Sequence, residues 1–398
     1  MRIPRRRFIA GIGGGLATLA APVVRGQSSQ TIKVGLIMPF SGPFTEWGLQ
    51  FRRGVEVYIA EHGKHAGAAE IEVIYRDERG PDPEHSRQLA QELCVRDRVD
   101  FLGGLVFTPN AIAVAPVITE ARKPFVIFNA AQSAITRRSP YFTRTSFTIW
   151  QATMPAANWA AKQGYRDAVI AYSDYAPGQD SRDCFRKFFV ATGGTIKEEV
   201  PIPLNAVDPV PYVQRIITAK PNIVSMFLPT GPSSVAFYKT FSDLGGHRAG
   251  IKMIGTGELN ELDLPAIGEP ALGLYSAFYY SWVLNTPRNR EFVALYLKVH
   301  GPDAMPDPSA VNAYDGMHII YETTKRLSGA IDGEKAMQAI KEMKFESPRG
   351  FIAIDPVERD IIQDIYIRRV EKRDGKLVNA EIDKFPQVKD PWKEQNKA

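Results

Sequence analysis

Ile32-Lys-Val-Gly-Leu-Ile-Met-Pro-Phe-Ser-Gly-Pro-Phe-Thr-Glu-Trp-Gly48 compresses a buried strand, a sharp loop and the start of a helix into seventeen residues. Ile32, Val34, Leu36, Ile37 and Met38 form a short apolar run of strand length, the pattern of a parallel strand covered on both faces. Pro39 stops it. Ser41-Gly42-Pro43 is a turn cluster, and Thr45 with Glu46 opens a helix. In an open α/β sheet such helix starts lie at the carboxyl ends of the strands, where small ligands bind and an anionic group meets unpaired N–H donors. Trp47 stands beside that crevice, placed either to pack a helix or to wall a ligand.

The unit repeats along the chain. A helix from about Glu46 to Glu61 is followed by strand-like Ile71 to Tyr75, a helix from about Glu84 to Arg96, a buried run at Phe101 to Phe107, a helix opened by Pro109 and Asn110, and a fourth strand at Pro124 to Phe128. This βαβ alternation specifies a parallel sheet. It restarts after Arg144-Thr145-Ser146, with strands at Ala168 to Ser173, Thr195 to Pro201, Ile223 to Leu228 and Lys252 to Ile254 separated by helical stretches. Gly273 to Trp282, rich in Tyr and Phe, reads as a strand returning to the first lobe. Helices follow, then two strands at Gly350 to Asp355 and Gln363 to Glu371. No Gly/Ser tether separates the lobes, so short strands connect them.

A chain of 398 residues exceeds one ordinary core and predicts two domains. The formal charge of +5 is misleading, because Arg2, Arg5, Arg6, Arg7 and Arg25 fall in the first 26 residues, which hold no acid. Setting these five aside leaves 44 basic against 44 acidic residues, without the positive surplus that nucleic-acid binding needs. Residues 1–26 read as a twin-arginine export signal: Arg5-Arg6-Arg7-Phe8-Ile9, then a mild apolar segment to Ala21, with Val24 and Gly26 suiting cleavage before Gln27. No later stretch approaches the ~20 apolar residues of a membrane span. Cys94 and Cys184 are read as buried thiols, with no disulfide framework and no metal spacing. No Gly-x-Ser-x-Gly, Walker loop or His-Glu-x-x-His occurs to support an enzyme, and no cofactor is expected.

Several stretches together resemble the periplasmic leucine/isoleucine/valine-type binding proteins of ABC importers: residues 32–43, Ser139-Pro140-Tyr141-Phe142-Thr143-Arg144-Thr145, Asp174-Tyr175-Ala176-Pro177-Gly178-Gln179-Asp180, Thr286-Pro287-Arg288-Asn289-Arg290-Glu291-Phe292, Tyr314-Asp315 and Ser347-Pro348-Arg349-Gly350. The resemblance implies a type I periplasmic-binding fold, α/β, with two doubly wound lobes joined by three crossings. It places the first lobe at 27–148 plus 282–350, the second at 149–281 plus 351–385, and leaves 386–398 as a polar tail. It implies a monomer in the periplasm that closes on a small ligand and presents it to an inner-membrane permease.

Carried over by position, the resemblance implies a first-lobe pocket of Trp47, Pro109, Asn110, Ala130 and Gln132, and a second-lobe share of Tyr175, Thr230 and Glu258. There are departures from the family pattern. Pro109-Asn110 replaces a Ser-Ser-type loop, Gln132 stands where Thr is common and Pro177 where an aromatic is common, and Glu258 lies one position beyond the acid that takes an ammonium group. Glu258 also reads as an ordinary helix-start acid, and Asn110 and Gln132 as turn-forming residues. The expected ligand is an amino acid, large or aromatic ones included. The alternatives are an aromatic carboxylate, a small amide, or a sensor that shows its closed form to a signalling receptor.

Overall fold

The computed structural model describes residues 30–204, 206–257, 259–261 and 263–397, so the export signal at 1–26 and Glu258 lie outside the described residues. The opening run forms strand β1 (Thr31–Met38), in which Ile32, Val34, Leu36, Ile37 and Met38 are fully buried. β2 (His65–Ala66), β3 (Ala69–Asp77), β4 (Phe101–Gly104), β5 (Phe125–Ile127) and β6 (Phe142–Arg144) complete a six-stranded sheet of order β2-β3-β1-β4-β5-β6. It is parallel except for β2. The order reverses at β1, which pairs both β3 and β4, so the crevice of this sheet opens at the carboxyl ends of β1 and β4.

The second sheet holds β7 (Asp167–Ser173), β8 (Thr195–Ile202), β9 (Ile223–Phe227), β10 (Lys252–Gly255), β11 (Tyr275–Phe278), β12 (Lys344–Ser347), β13 (Gly350–Ile354), β14 (Ile361–Arg373) and β15 (Lys376–Val388). β8-β7-β9-β10-β11 are parallel, and β14 then adds antiparallel to β11. Here the reversal lies at β7, between β8 and β9, which again aims a crevice at the loops after β7 and β9. Helices Pro287–His300 and Pro308–Arg326 return to pack on the first-lobe helix Thr45–His62. At one such crossing Gly54 lies so close that a Cβ there would sit 2.0 Å from the Ala310 carbonyl.

Two expected boundaries change. The division at 350 falls inside the β12–β13 hairpin, because Ala353 and Ile354 pair with Ile362 and Ile361 and carry both strands onto β14. Residues 386–398 are no tail among their described positions: β15 runs to Val388 and Pro391–Gln395 is a helix with Lys393 buried. Its ammonium group bonds the Asp360 carboxylate and the Thr136 hydroxyl. Cys184 is buried as expected, Cys94 only partly, and both are free thiols.

Charge is buried where the chain crosses between lobes. Arg144, at the end of β6, donates from Nε to Asp360 at 2.8 Å, just ahead of β14. Burial works against the Asp360 carboxylate, yet the charges of Arg144 and Lys393 hold its pKa below the ordinary value. Arg349 bonds Asp315 at 2.6 Å, the Gln363 side chain at 3.0 Å and the carbonyls of Thr145 and Ser146. It therefore ties the first crossing to the third and both to helix Pro308–Arg326.

Candidate ligand-binding cleft

The two crevices face each other across one narrow cleft with about 60 Å³ of free space. Trp47 comes from the first turn of the helix that follows β1, Val106 from the loop after β4 and Thr108 from the start of the helix beyond it, Tyr175 from the loop after β7, Thr230 from that after β9, and Phe278 and Tyr279 from the end of β11 and the second crossing. Except at the second crossing, these are the segments that the strand-order reversals expose, so the folding pattern itself delivers most of the lining.

The walls are aromatic. Trp47 stacks on Phe107 at 6.3 Å with only 10° between the rings, and Tyr175 stacks on Phe227 at 6.3 Å. Phe278 meets Phe147 edge-on at 4.7 Å and lies 4.3 Å from Tyr279. Tyr279 is held from behind: Asn312 Nδ2 donates to its hydroxyl at 2.8 Å, and the Arg349 guanidinium sits 4.8 Å from its ring. No described lining residue carries a charge.

Polar groups are few and neutral. Asn260 donates to the Thr230 hydroxyl at 3.0 Å, and the Ser309 hydroxyl donates to Asp307 at 3.1 Å. The Thr108 hydroxyl is buried with no hydrogen-bond partner. It also opens the helix Thr108–Ala121, whose cap residue Phe107 supplies no side-chain acceptor. Across the cleft, helix Ala176–Ala191 begins at Tyr175, again without a side-chain cap. Two helix starts without side-chain caps, each with a proline that lacks an N–H in its first turn, thus border the cleft together with the unpartnered Thr108 hydroxyl.

Of the residues named from the sequence, Trp47, Tyr175 and Thr230 line this cleft. Pro109, Asn110, Ala130 and Gln132 do not. Asn110 is buried, its Nδ2 donating to Glu78 at 2.7 Å and to the Gly80 carbonyl at 2.9 Å. The carbonyls of Ala130 and Gln132 both accept from Arg144 Nη1, at 2.7 and 2.9 Å. Their neighbours Thr108, Asn129 and Ala131 occupy the lining instead, a slip of one residue. β4 ends at Gly104 rather than Phe107, and Leu105 turns the chain through a left-handed conformation at φ 63°. Phe278 and Tyr279 were missed, although the aromatic density of 273–282 was the available signal. Gly257, beside the undescribed Glu258, lines the cleft.

An aromatic cleft between two doubly wound lobes, uncharged among its described residues, defines a small-molecule binding protein. The chain belongs to the periplasmic binding protein family, whose model matches residues 31–376. It is 42% identical over 365 residues, 91% of this chain and 94% of the relative, to the Leu/Ile/Val-binding protein homolog 6 of Brucella melitensis biotype 1. It is similar to the solute binding protein of an ABC transporter from R. palustris solved in complex with 4-hydroxybenzoate, at 44% identity and TM-score 0.89, covering 91% of this chain and 99% of that one. A counterpart from Rhodopseudomonas palustris BisB5, in complex with 3,4-dihydroxybenzoic acid, is 43% identical with TM-score 0.87 and the same coverage. The protein is thus a solute-binding component of ABC transport, a non-enzymatic role in which a permease partner is implied. Among the described residues no helix is long and apolar enough to cross a membrane.

Proposed function

We propose that the protein captures a small aromatic carboxylate of the hydroxybenzoate kind outside the cytoplasm and hands it to its permease. The observation that carries this reading is the cleft wall: aromatic rings from both lobes with no charged side chain among the described lining residues. A flat ring gains from stacking there, worth about 0.5–1.5 kcal/mol per aromatic pair beyond burial. Its carboxylate suits the uncapped helix start and free hydroxyl at Thr108. Thr230, Asn260 and Ser309 offer neutral partners for ring hydroxyls. The ligands seen in the 43–44% identical structures support the same chemistry.

An amino acid is the second reading, favoured by Glu258, whose neighbour Gly257 lines the cleft. An α-ammonium group enclosed between the lobes needs an acid, and Glu258 is the candidate. The two readings separate in a thermal-shift screen of benzoate, 4-hydroxybenzoate, 3,4-dihydroxybenzoate, leucine and phenylalanine. A true ligand at 100 times its dissociation constant stabilises the fold by ~2.7 kcal/mol. The aromatic acids are expected to raise the melting temperature and Glu258→Gln to leave that rise intact. A response to amino acids alone, lost in Glu258→Gln, would overturn the aromatic assignment. For the address, fractionation of cells is expected to yield a processed chain beginning near Gln27 in the periplasm, and full-length protein confined to the cytosol would refute export.

A further inference from the structure

Glu78 lies behind the cleft rather than in it. Its carboxyl is wholly buried; Oε1 accepts the Val106 N–H at 2.8 Å and Oε2 accepts from Asn110 Nδ2 at 2.7 Å. Val106 lines the cleft, and Asn110 sits in the first turn of the helix that Thr108 opens. Because Asn110 also holds the Gly80 carbonyl, this one carboxyl clips the loop after β3 to the loop after β4 and to the start of that helix. It thereby sets where the free Thr108 hydroxyl and the uncapped helix end stand.

No described residue forms an ion pair with Glu78, and the charge that acts on it is Asp77, of the same sign. Asp77 is itself held by the N–H groups of Phe40 and Arg79. Asp82 is occupied as the cap of helix Pro83–Val95, and His85 contacts the Asp77 carbonyl. β4 and the first turn of helix Thr108–Ala121 contain no acid or base. A second anion arriving at Thr108 would therefore meet a buried carboxyl with no cation to offset it.

We propose that Glu78 is the positioning residue of the carboxylate subsite and that an ionised Glu78 and a bound ligand carboxylate oppose one another, so that capture is linked to proton uptake. The inference rests on a carboxylate ligand, which the aromatic and amino-acid readings share. Burial pushes the Glu78 carboxyl up to about 8 against its two hydrogen bonds. A ligand anion raises it further. Affinity is then full below the free-protein value and falls as pH rises through it, by about fivefold between pH 7 and pH 9 if the bound value is about one unit higher.

The test is isothermal titration of the full mature chain with benzoate, or with leucine if that is the compound that binds, from pH 6.5 to 9 in buffers of different ionisation enthalpy. Wild type is expected to take up a fraction of a proton on binding and to weaken about fivefold towards pH 9; Glu78→Gln is expected to show a flat profile and no Glu78-linked uptake. A merely structural Glu78 would weaken binding at every pH without changing the slope, and matching profiles in the two proteins overturn the proposal. A second measurement needs no variant: the 13C carboxyl signal of Glu78 in wild type should titrate near pH 8 and move up on saturation, whereas an ordinary carboxyl midpoint overturns it. If no carboxylate binds, the ligand reading and this proposal fall together; binding with a pH-independent difference overturns this proposal alone.

Discussion

Trp47→Ala is expected to weaken ligand binding by about 2 kcal/mol or more, close to 30-fold in dissociation constant. The indole lies at the cleft, stacked on Phe107 and 6.3 Å from Phe44. It is thus preorganised as a flat wall, and a rigid aromatic that loses little entropy on binding is the usual form of a dominant contact. Truncation removes the ring face a ligand would stack on and admits water beside the anionic head. Trp47→Phe should recover part of the loss. Titration of both variants, with their melting curves measured separately, distinguishes lost contact from lost packing. Unchanged affinity in Trp47→Ala would make the residue a helix-packing aromatic, and quenching of its fluorescence by ligand should vanish with it.

The largest expected loss of stability follows Asp315→Ala. Asp315 and Arg349 are both fully shielded from solvent, with Oδ2 accepting from Nη2 at 2.6 Å and from the Ser347 hydroxyl at 2.8 Å. Burial raises the Asp315 pKa, and the Arg349 charge opposes that rise. Removing the carboxylate strands a guanidinium that cannot lose its proton, at a cost of about 3–5 kcal/mol. Arg349 keeps its contacts to Thr145, Ser146 and Gln363, so the variant should retain its hinge connections while unfolding at lower urea. Replacing both partners with apolar residues of similar volume should restore much of the stability, since the pair's own desolvation then disappears as well. A loss below about 1 kcal/mol in Asp315→Ala would show that water or another acceptor compensates Arg349.

Family and fold were legible because buried parallel strands write continuous apolar runs and their helices write a different period. Trp47, Tyr175 and Thr230 could be named because they follow strand ends, in loops or helix starts that any doubly wound sheet turns towards its crevice. The sequence by itself thus determined two α/β lobes, a ligand crevice at their carboxyl edges, and a chain whose basic surplus belongs to its first 26 residues.

Which side of a loop faces the cleft was decided by contacts between residues far apart in the chain. Arg144 takes the carbonyls of Ala130 and Gln132 from behind, leaving Asn129 and Ala131 on the cleft. Glu78 accepts from Asn110, a pairing 32 residues apart that ties its amide to the loop after β3. The C-terminal residues read as solvated because they are polar, yet Lys393 is buried against Asp360 and Thr136, and Asp390 caps its helix. Local periodicity records what a residue is and how its neighbours alternate. A buried charge needs its partner, and where that partner comes from elsewhere in the chain only the assembled fold can supply it.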